Sequence, residues 1–413
     1  MLCNVIPTNI PMNKKLFFLF ILFLFFSCAN RQTTNSLNEN KAHYIIDLDG
    51  KKEQSIPYSS IFKNVQTILL ETSQDCLIGS VNELQVFDGC IYLLDRAVAK
   101  SLFVFDREGR FIRKIGGLGY GPGEYVQILD FTIDTEKRFI FLQDQATRVH
   151  KYRLDGTYVH SITIQIPRSN SYYIQFYNGR LYASTLAWER NRDDYMLLEI
   201  DPDDGKILSR HLPIKYNKGW TEAEFMGNFF MSRLNSPPRY AQLFMDCIVS
   251  LDEEISSFIE LKSKNLVKEK DLENLPEGAM NIIEKLSHFQ GSSKIWHAHS
   301  LVENDDFILF KYDSGLFDFF TVVFHKDTET VQIAKNLSND LVLKQTDDPK
   351  SGIPDKFSFS DAHGAYAIVL PFVMNHFLES VRNNQLLPDL DKLDQLKKLD
   401  EDSNPVIFFY EYK

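Results

Sequence analysis

Apolar and polar residues alternate in short runs along most of this chain, and turns containing Gly or Asp separate the runs. Period-two patterning of this kind marks half-buried strands. The stretch 84–115 shows it most clearly. Segments 84–87, Cys90–Asp95, Ser101–Asp106 and Phe111–Ile115 read as strands, with Asp88-Gly89 and 107–110 as the turns. Four short strands joined by tight turns within about 40 residues make one blade of a β-propeller.

The unit recurs. Phe139–Asp144, 149–154 and 158–164 repeat its last three strands, and 180–184, Tyr195–Ile200 and 206–212 do so again. The turn between third and fourth strands carries Gly109, Gly156 and Gly205, spaced by 47 and 49 residues. A fixed period of this length indicates stacked four-stranded blades. After Ile214 the rhythm loosens into an insertion over 217–240 that holds Trp220, Pro237 and Pro238. Strands resume at Cys247–Leu251 and 255–261, then at 294–302, 307–312, 317–325 and 330–334. Helical inserts are predicted near 265–290 and 372–400. In the first, Ile282, Ile283, Leu286 and Phe289 share one face. The chain ends in an apolar strand, Val406–Tyr412.

A period of about 48 residues divides the β region, once roughly 80 residues of inserts are set aside, into six. The expected fold is all-β: a six-bladed β-propeller of four-stranded antiparallel blades, with small helical insertions. Val406–Tyr412 is expected to pair with an early strand inside 42–70, closing the ring and removing free edges. A seven-bladed ring and two β-sandwich domains are the rival architectures.

The first residues carry a different pattern. Lys14 and Lys15 precede an unbroken apolar run over 16–26. That run is shorter than the about 20 residues a membrane-spanning helix needs, and it fits the core of an export signal. Met12, directly before Asn13-Lys14-Lys15, is the expected start of translation. The run ends in Ser27-Cys28, which resembles a bacterial lipobox. Ser27 fits that pattern, while Phe25 and Phe26 depart from it. The expected organisation is a lipoprotein-type signal peptide over 1–27, a flexible tether over 28–41 and the propeller over 42–413. Cys28 would be lipidated, anchoring the chain to the outer membrane. Residues 29–35 lack an acidic cluster, which points to the periplasmic face. An ordinary secretory signal is the alternative.

Composition narrows the function classes. The net charge of −11 argues against a nucleic-acid partner, which needs a basic face. Past Cys28 the cysteines are Cys76, Cys90 and Cys247, with no CxxC spacing, so a zinc cluster or disulfide framework is not supported. A Cys76–Cys90 bridge and buried free thiols both remain open. No nucleotide, hydrolase or calcium-loop motif is present, so no cofactor and no catalytic residue is assigned. His297 and His299, two apart on a strand, share a face and are weak metal candidates lacking a third ligand that the sequence places. Structural or surface roles are the plainer expectation for both.

The stretch 104–125, with its Gly-Pro-Gly-Glu-Tyr ending at Tyr125, resembles the six-bladed β-propeller lipoproteins of Bacteroidetes, relatives of NHL-repeat propellers. Leu69-Leu70-Glu71-Thr72 and Leu77-Ile78-Gly79 also resemble that family. The resemblance implies a fold and a cell-envelope address rather than a chemistry. The expected role is a scaffold for a small ligand or an envelope protein. A periplasmic metal-dependent lyase or lactonase is the alternative. Irregular loops carry function most often, so Glu124, Tyr125, Trp220 and Arg239 are the candidate binding residues. Capping by Glu124 and inter-blade packing by Tyr125 are the plainer expectations.

Overall fold

The computed structural model describes residues 34–35, 42–145, 147–165, 169–187, 195–218, 229–231, 236–273, 286–316, 318–345 and 351–413. Their strands form six blades, each built on four antiparallel strands that run from the axis outward. Blade 1 is Glu83–Phe87, Cys90–Asp95, Ser101–Asp106 and Phe111–Ile115. Blade 2 is Ile128–Asp134, Phe139–Asp144, Arg148–Arg153 and Tyr158–Thr163. Blade 3 is Ser169–Tyr177, Arg180–Ala187, Tyr195–Ile200 and Ile207–Pro213. Blade 4 has short inner strands, Phe230–Met231 and Arg239–Tyr240, followed by Cys247–Leu251 and Ile255–Lys262. Blade 5 is Ile295–Glu303, Phe307–Ser314, Asp318–His325 and Thr330–Ser338.

Blade 6 closes the ring as expected. Its first three strands, Phe359–Ser360, Gly364–Ile368 and Val406–Tyr412, come from the end of the chain, and the fourth, Phe62–Leu69, comes from the beginning. Val406 pairs with Leu69 and Tyr410 with Val65 in an antiparallel ladder. The helical inserts contain Glu269–Glu273, Met374–Arg382 and Leu393–Leu396. Among the described residues no helix is long and apolar enough to cross a membrane.

The core is not central. Six apolar clusters each fill the gap between two adjacent blades. Between blades 6 and 1, for example, Ile68 and Ile407 meet Leu84, Ile91 and Phe103. Blades therefore bury both faces, so middle strands such as Cys90–Asp95 are buried on both sides, and their apolar run ends only at Asp95. The outer strand Phe111–Ile115 alternates instead. Large buried rings such as Phe103 each stabilise the packing by about 1.5–3 kcal/mol.

The repeated glycines have a geometric cause. Gly109 and Gly205 adopt positive φ, at +89° and +77°, at hairpin turns pressed against the preceding blade. A Cβ on Gly109 would lie 2.0 Å from the Leu69 carbonyl oxygen, and one on Gly205 would lie 2.5 Å from that of Thr163. Only glycine permits both the conformation and the approach.

One feature of the fold goes beyond four-stranded blades. The early chain runs along the rim and adds a parallel fifth strand to three of them. Thr34–Asn35 pairs with the outer strand of blade 3, Tyr44–Asp47 with that of blade 4, and Lys52–Pro57 with that of blade 5. It covers three outer edges that would otherwise be open to pairing with another chain. Cys76, Cys90 and Cys247 are all free thiols. Cys76 is buried, with its sulfur 3.2 Å from the Glu71 carbonyl.

Candidate functional site

The chain enters each blade by crossing from the outer strand of the preceding blade to the axis. The crossings define one face of the ring, and the hairpin turns between first and second strands define the other. At the crossing face of blade 1, Asp95 ends the second strand. Its carboxylate accepts the backbone N–H groups of Gly79, Ser80 and Val98 at 2.8–2.9 Å and the Ser80 hydroxyl at 2.6 Å. Asp144 ends the same strand of blade 2. It accepts the N–H groups of Val126 and Gln127 at 3.1 and 2.9 Å, and is bound by Arg148 and His150. Both aspartates are fully buried and clamp the crossing that leads into their own blade. A buried carboxylate is tolerated only when it is bonded in this way.

Blade 5 departs from that rule. Asp313 stands near the end of its second strand, opposite His297 on the innermost strand. Its carboxylate contacts no crossing amide among the described bonds. Instead Oδ2 is 3.2 Å from His297 Nδ1, and Oδ1 is 3.0 Å from His299 Nε2. A carboxylate only accepts, so each imidazole donates. The other nitrogen of His299 is 2.7 Å from the Ser300 hydroxyl. The two rings stack with centroids 4.9 Å apart, and Trp296 stacks on His297 from the other side. The crossing into blade 5 is held by other means: Gly315 N–H donates to Lys294 O, and Trp296 Nε1–H donates to Gly315 O, both at 2.8 Å.

Burial pushes His297 down to about 4, against the opposing effect of its bond to Asp313. It is therefore a neutral imidazole at neutral pH. Burial would raise Asp313, but the bonds from both histidines outweigh it and hold the carboxyl well below the usual range. Lys356, on the crossing into blade 6, is lowered by the protein packed around it and by Lys311, although its side chain remains open to solvent. Lys311 is paired with Asp355 at 2.6 Å. Across the axis, burial and Glu83 raise Asp130 well above the carboxylate range, while its Oδ2 accepts the Ile174 N–H at 2.8 Å.

The hairpin face carries a cavity of about 470 Å³. Its wall includes Gln85, Asp134, Glu136, Gln175, Tyr177 and Asp252, drawn from blades 1 to 4. Amides and carboxylates dominate it, with Phe176 and Phe359 as apolar patches.

A family profile described as "Domain of unknown function (DUF4934)" matches residues 43–411. The chain belongs to the DUF4934 family. The match covers the whole ring and the rim strands from Tyr44 onward. Among solved structures, this DUF4934 chain is similar to a Bacteroides fragilis protein described as exported, at 18% identity. That match covers 89% of this chain and 99% of the other, with a TM-score of 0.69, and it establishes the shared fold. A DUF4221 member from Bacteroides vulgatus matches at 13% identity over 85% of this chain and 97% of its own, with a TM-score of 0.48. No curated protein matches.

The site residues expected from the DUF4934 sequence are dispersed. Tyr125 is buried between blades 1 and 2, where its hydroxyl donates to Lys100 O at 3.2 Å. Glu124 Oε2 accepts the Gly121 N–H at 2.8 Å within the glycine-rich crossing. Arg239 lies on the hairpin face, away from that crossing. Its guanidinium bonds Glu303 at 2.7 Å, sits 3.5 Å over the Phe258 ring and joins blade 4 to blade 5. Trp220 and Cys28 lie outside the described residues. His297 and His299 are brought together, and Asp313 is the functional group that sequence reasoning missed. A signal for it existed. Folding the strands about the turn that pairs Glu303 with Ile308 brings His297 to within one residue of Asp313, and the bulge between His299 and Val302 sets the two opposite each other.

Proposed function

We propose that this chain is a cell-envelope lipoprotein whose ring is a rigid binding scaffold for a small polar ligand or an envelope protein. Anchoring would run through Cys28 to the outer membrane, on its periplasmic face. The leader over 1–28 supports export and lipidation, and the structurally similar Bacteroides fragilis protein is described as exported. Attachment by two or more acyl chains gives stable anchoring, where one gives only marginal binding.

The observation that carries the binding role is the 470 Å³ cavity on the hairpin face. It falls within the roughly 300–1,000 Å³ of small-molecule sites. The carboxylates of Asp134, Glu136 and Asp252 and the amides of Gln85 and Gln175 suit a ligand rich in hydroxyls or bearing positive charge. A thermal-shift screen of sugars, amines and amino acids tests this. A ligand that raises the melting temperature of the full chain should lose its effect in Asp252→Asn and Gln175→Ala. A shift that survives both substitutions would place the ligand elsewhere. Cys28→Ala should release the protein into the soluble fraction; retention in membranes would contradict the anchor.

The second reading is a periplasmic metal-dependent enzyme of lyase or lactonase type. The convergence of His297, His299 and Asp313 on one point favours it.

A further inference from the structure

We infer that His297, His299 and Asp313 form a binding site for one divalent transition-metal ion of the zinc class. The inference concerns metal binding alone and holds for a scaffold or an enzyme alike.

The ligand set is chemically apt. Two imidazoles and a carboxylate are the borderline donors that Zn²⁺ takes, and three protein ligands leave a fourth position open. The geometry agrees. One donor atom from each residue lies within 4.8 Å of the others. The His297 Nδ1–Asp313 Oδ2 and His299 Nε2–Asp313 Oδ1 separations are 3.2 and 3.0 Å. Metal bonds of about 2.0–2.1 Å in a tetrahedron place neighbouring donors roughly 3.3 Å apart. The carboxylate would chelate or offer one oxygen, and the donors, within 4.8 Å of one another, would draw together around an ion. In its absence each imidazole presents an N–H to the carboxylate; to bind an ion each ring would carry its proton on the other nitrogen instead, which in His299 faces the Ser300 hydroxyl oxygen.

The site is also pre-organised. Its residues sit on two adjacent hydrogen-bonded strands of one blade, not on loops. Trp296 stacks on His297 and Phe229 meets it edge-on, which fixes the ring. Ser300 Oγ is 2.7 Å from the Nδ1 of His299, a bond that sets which nitrogen faces Asp313. Such outer bonds orient metal-ligating histidines.

The departure from the repeat is a separate observation. Asp95 and Asp144 hold their crossings; the position equivalent to Asp144 in blade 5 is Ser314, the Trp296 indole bonds Gly315 O there, and Asp313, one residue earlier, faces the histidines. The charges facing the site are Lys356, which opposes a cation, and Lys311, which is neutralised by Asp355.

The test uses the purified full chain, stripped with chelator and titrated with ZnCl₂ by calorimetry. Co²⁺ absorption serves as an independent probe of tetrahedral nitrogen and oxygen ligation. One equivalent should bind per chain. His299→Ala, at the less buried ligand, should weaken binding by at least about a hundredfold, beyond what loss of a supporting bond costs, with an unchanged melting temperature in the absence of metal. Asp313→Asn should weaken binding likewise, with only a small loss of metal-free stability. Asp144→Asn, if it folds, should keep full stoichiometry. Absence of zinc binding by the folded wild-type protein would overturn the inference. So would undiminished affinity in folded His299→Ala.

Discussion

Blades 2 and 5 each carry an aspartate at the crossing end of the second strand, one residue apart in register, and use it differently. Asp144 holds two crossing amides, an arginine and a histidine on a neighbouring strand. Asp313 holds two histidines of the innermost strand and no crossing amide among the described bonds. One carboxylate is therefore part of the frame and the other faces a site. A repeat architecture makes this contrast readable, because each blade is a control for the others. In blade 5 the clamp position holds Ser314, the Trp296–Gly315 bond supports the crossing, and the neighbouring Asp313 faces the histidines as a candidate for chemistry.

The contrast predicts unequal costs. Asp144→Ala should be the most damaging, at about 3–5 kcal/mol, since it strips partners from a buried charged network. Urea denaturation of the metal-free protein would measure it, and a loss below about 1 kcal/mol would mean that the clamp is dispensable. Gly109→Ala should follow at roughly 3 kcal/mol, from the clash with Leu69 O added to the positive φ. Gly156→Ala should cost only about 1 kcal/mol, because a Cβ there meets nothing closer than 3.5 Å. Equal melting temperatures for the two glycine variants would refute the inter-blade contact as the cause of the repeat. Asp313→Asn should be milder than Asp144→Ala, at about 1 kcal/mol, the worth of an ordinary hydrogen bond.

The clamp also titrates. Burial alone would raise Asp95, but the bonds from Ser80, Val98 and Gly79 more than offset it and hold the carboxyl below its ordinary value. A depressed folded pKa contributes stability that is present above the unfolded value, near about 4, and is lost as pH falls through the folded one. Unfolding free energy should therefore drop with acidification below about pH 4, and Asp95→Asn should flatten that limb. An acid limb as steep in the variant as in the wild type would show that the stabilising proton linkage lies elsewhere.

The blades were legible in the sequence because their strands bury side chains. Val406–Tyr412 and Cys90–Asp95 stood out as short apolar runs beside turn or polar residues, and the closure followed from an apolar strand with no neighbour of its own. The rim strands were not legible. Lys52–Pro57 is mostly exposed and pairs through its backbone, so it carries almost no hydrophobic period. The site was half legible. Spacing put His297 and His299 on one face, but their third companion comes from across a hairpin whose register contains a bulge. Tyr125 and Arg239 stood out by residue type, and the structure uses them for packing and an inter-blade ion pair.

Amide hydrogen exchange on Asp144→Asn and Asp313→Asn, compared with wild type without metal, tests the division between frame and site most directly. The account predicts faster exchange over the crossing at 116–127 in Asp144→Asn. It predicts wild-type protection over 286–295 in Asp313→Asn, where Gly315 and Trp296 hold the chain. Equal loosening of the two crossings would contradict it, because Asp313 would then be one more structural clamp.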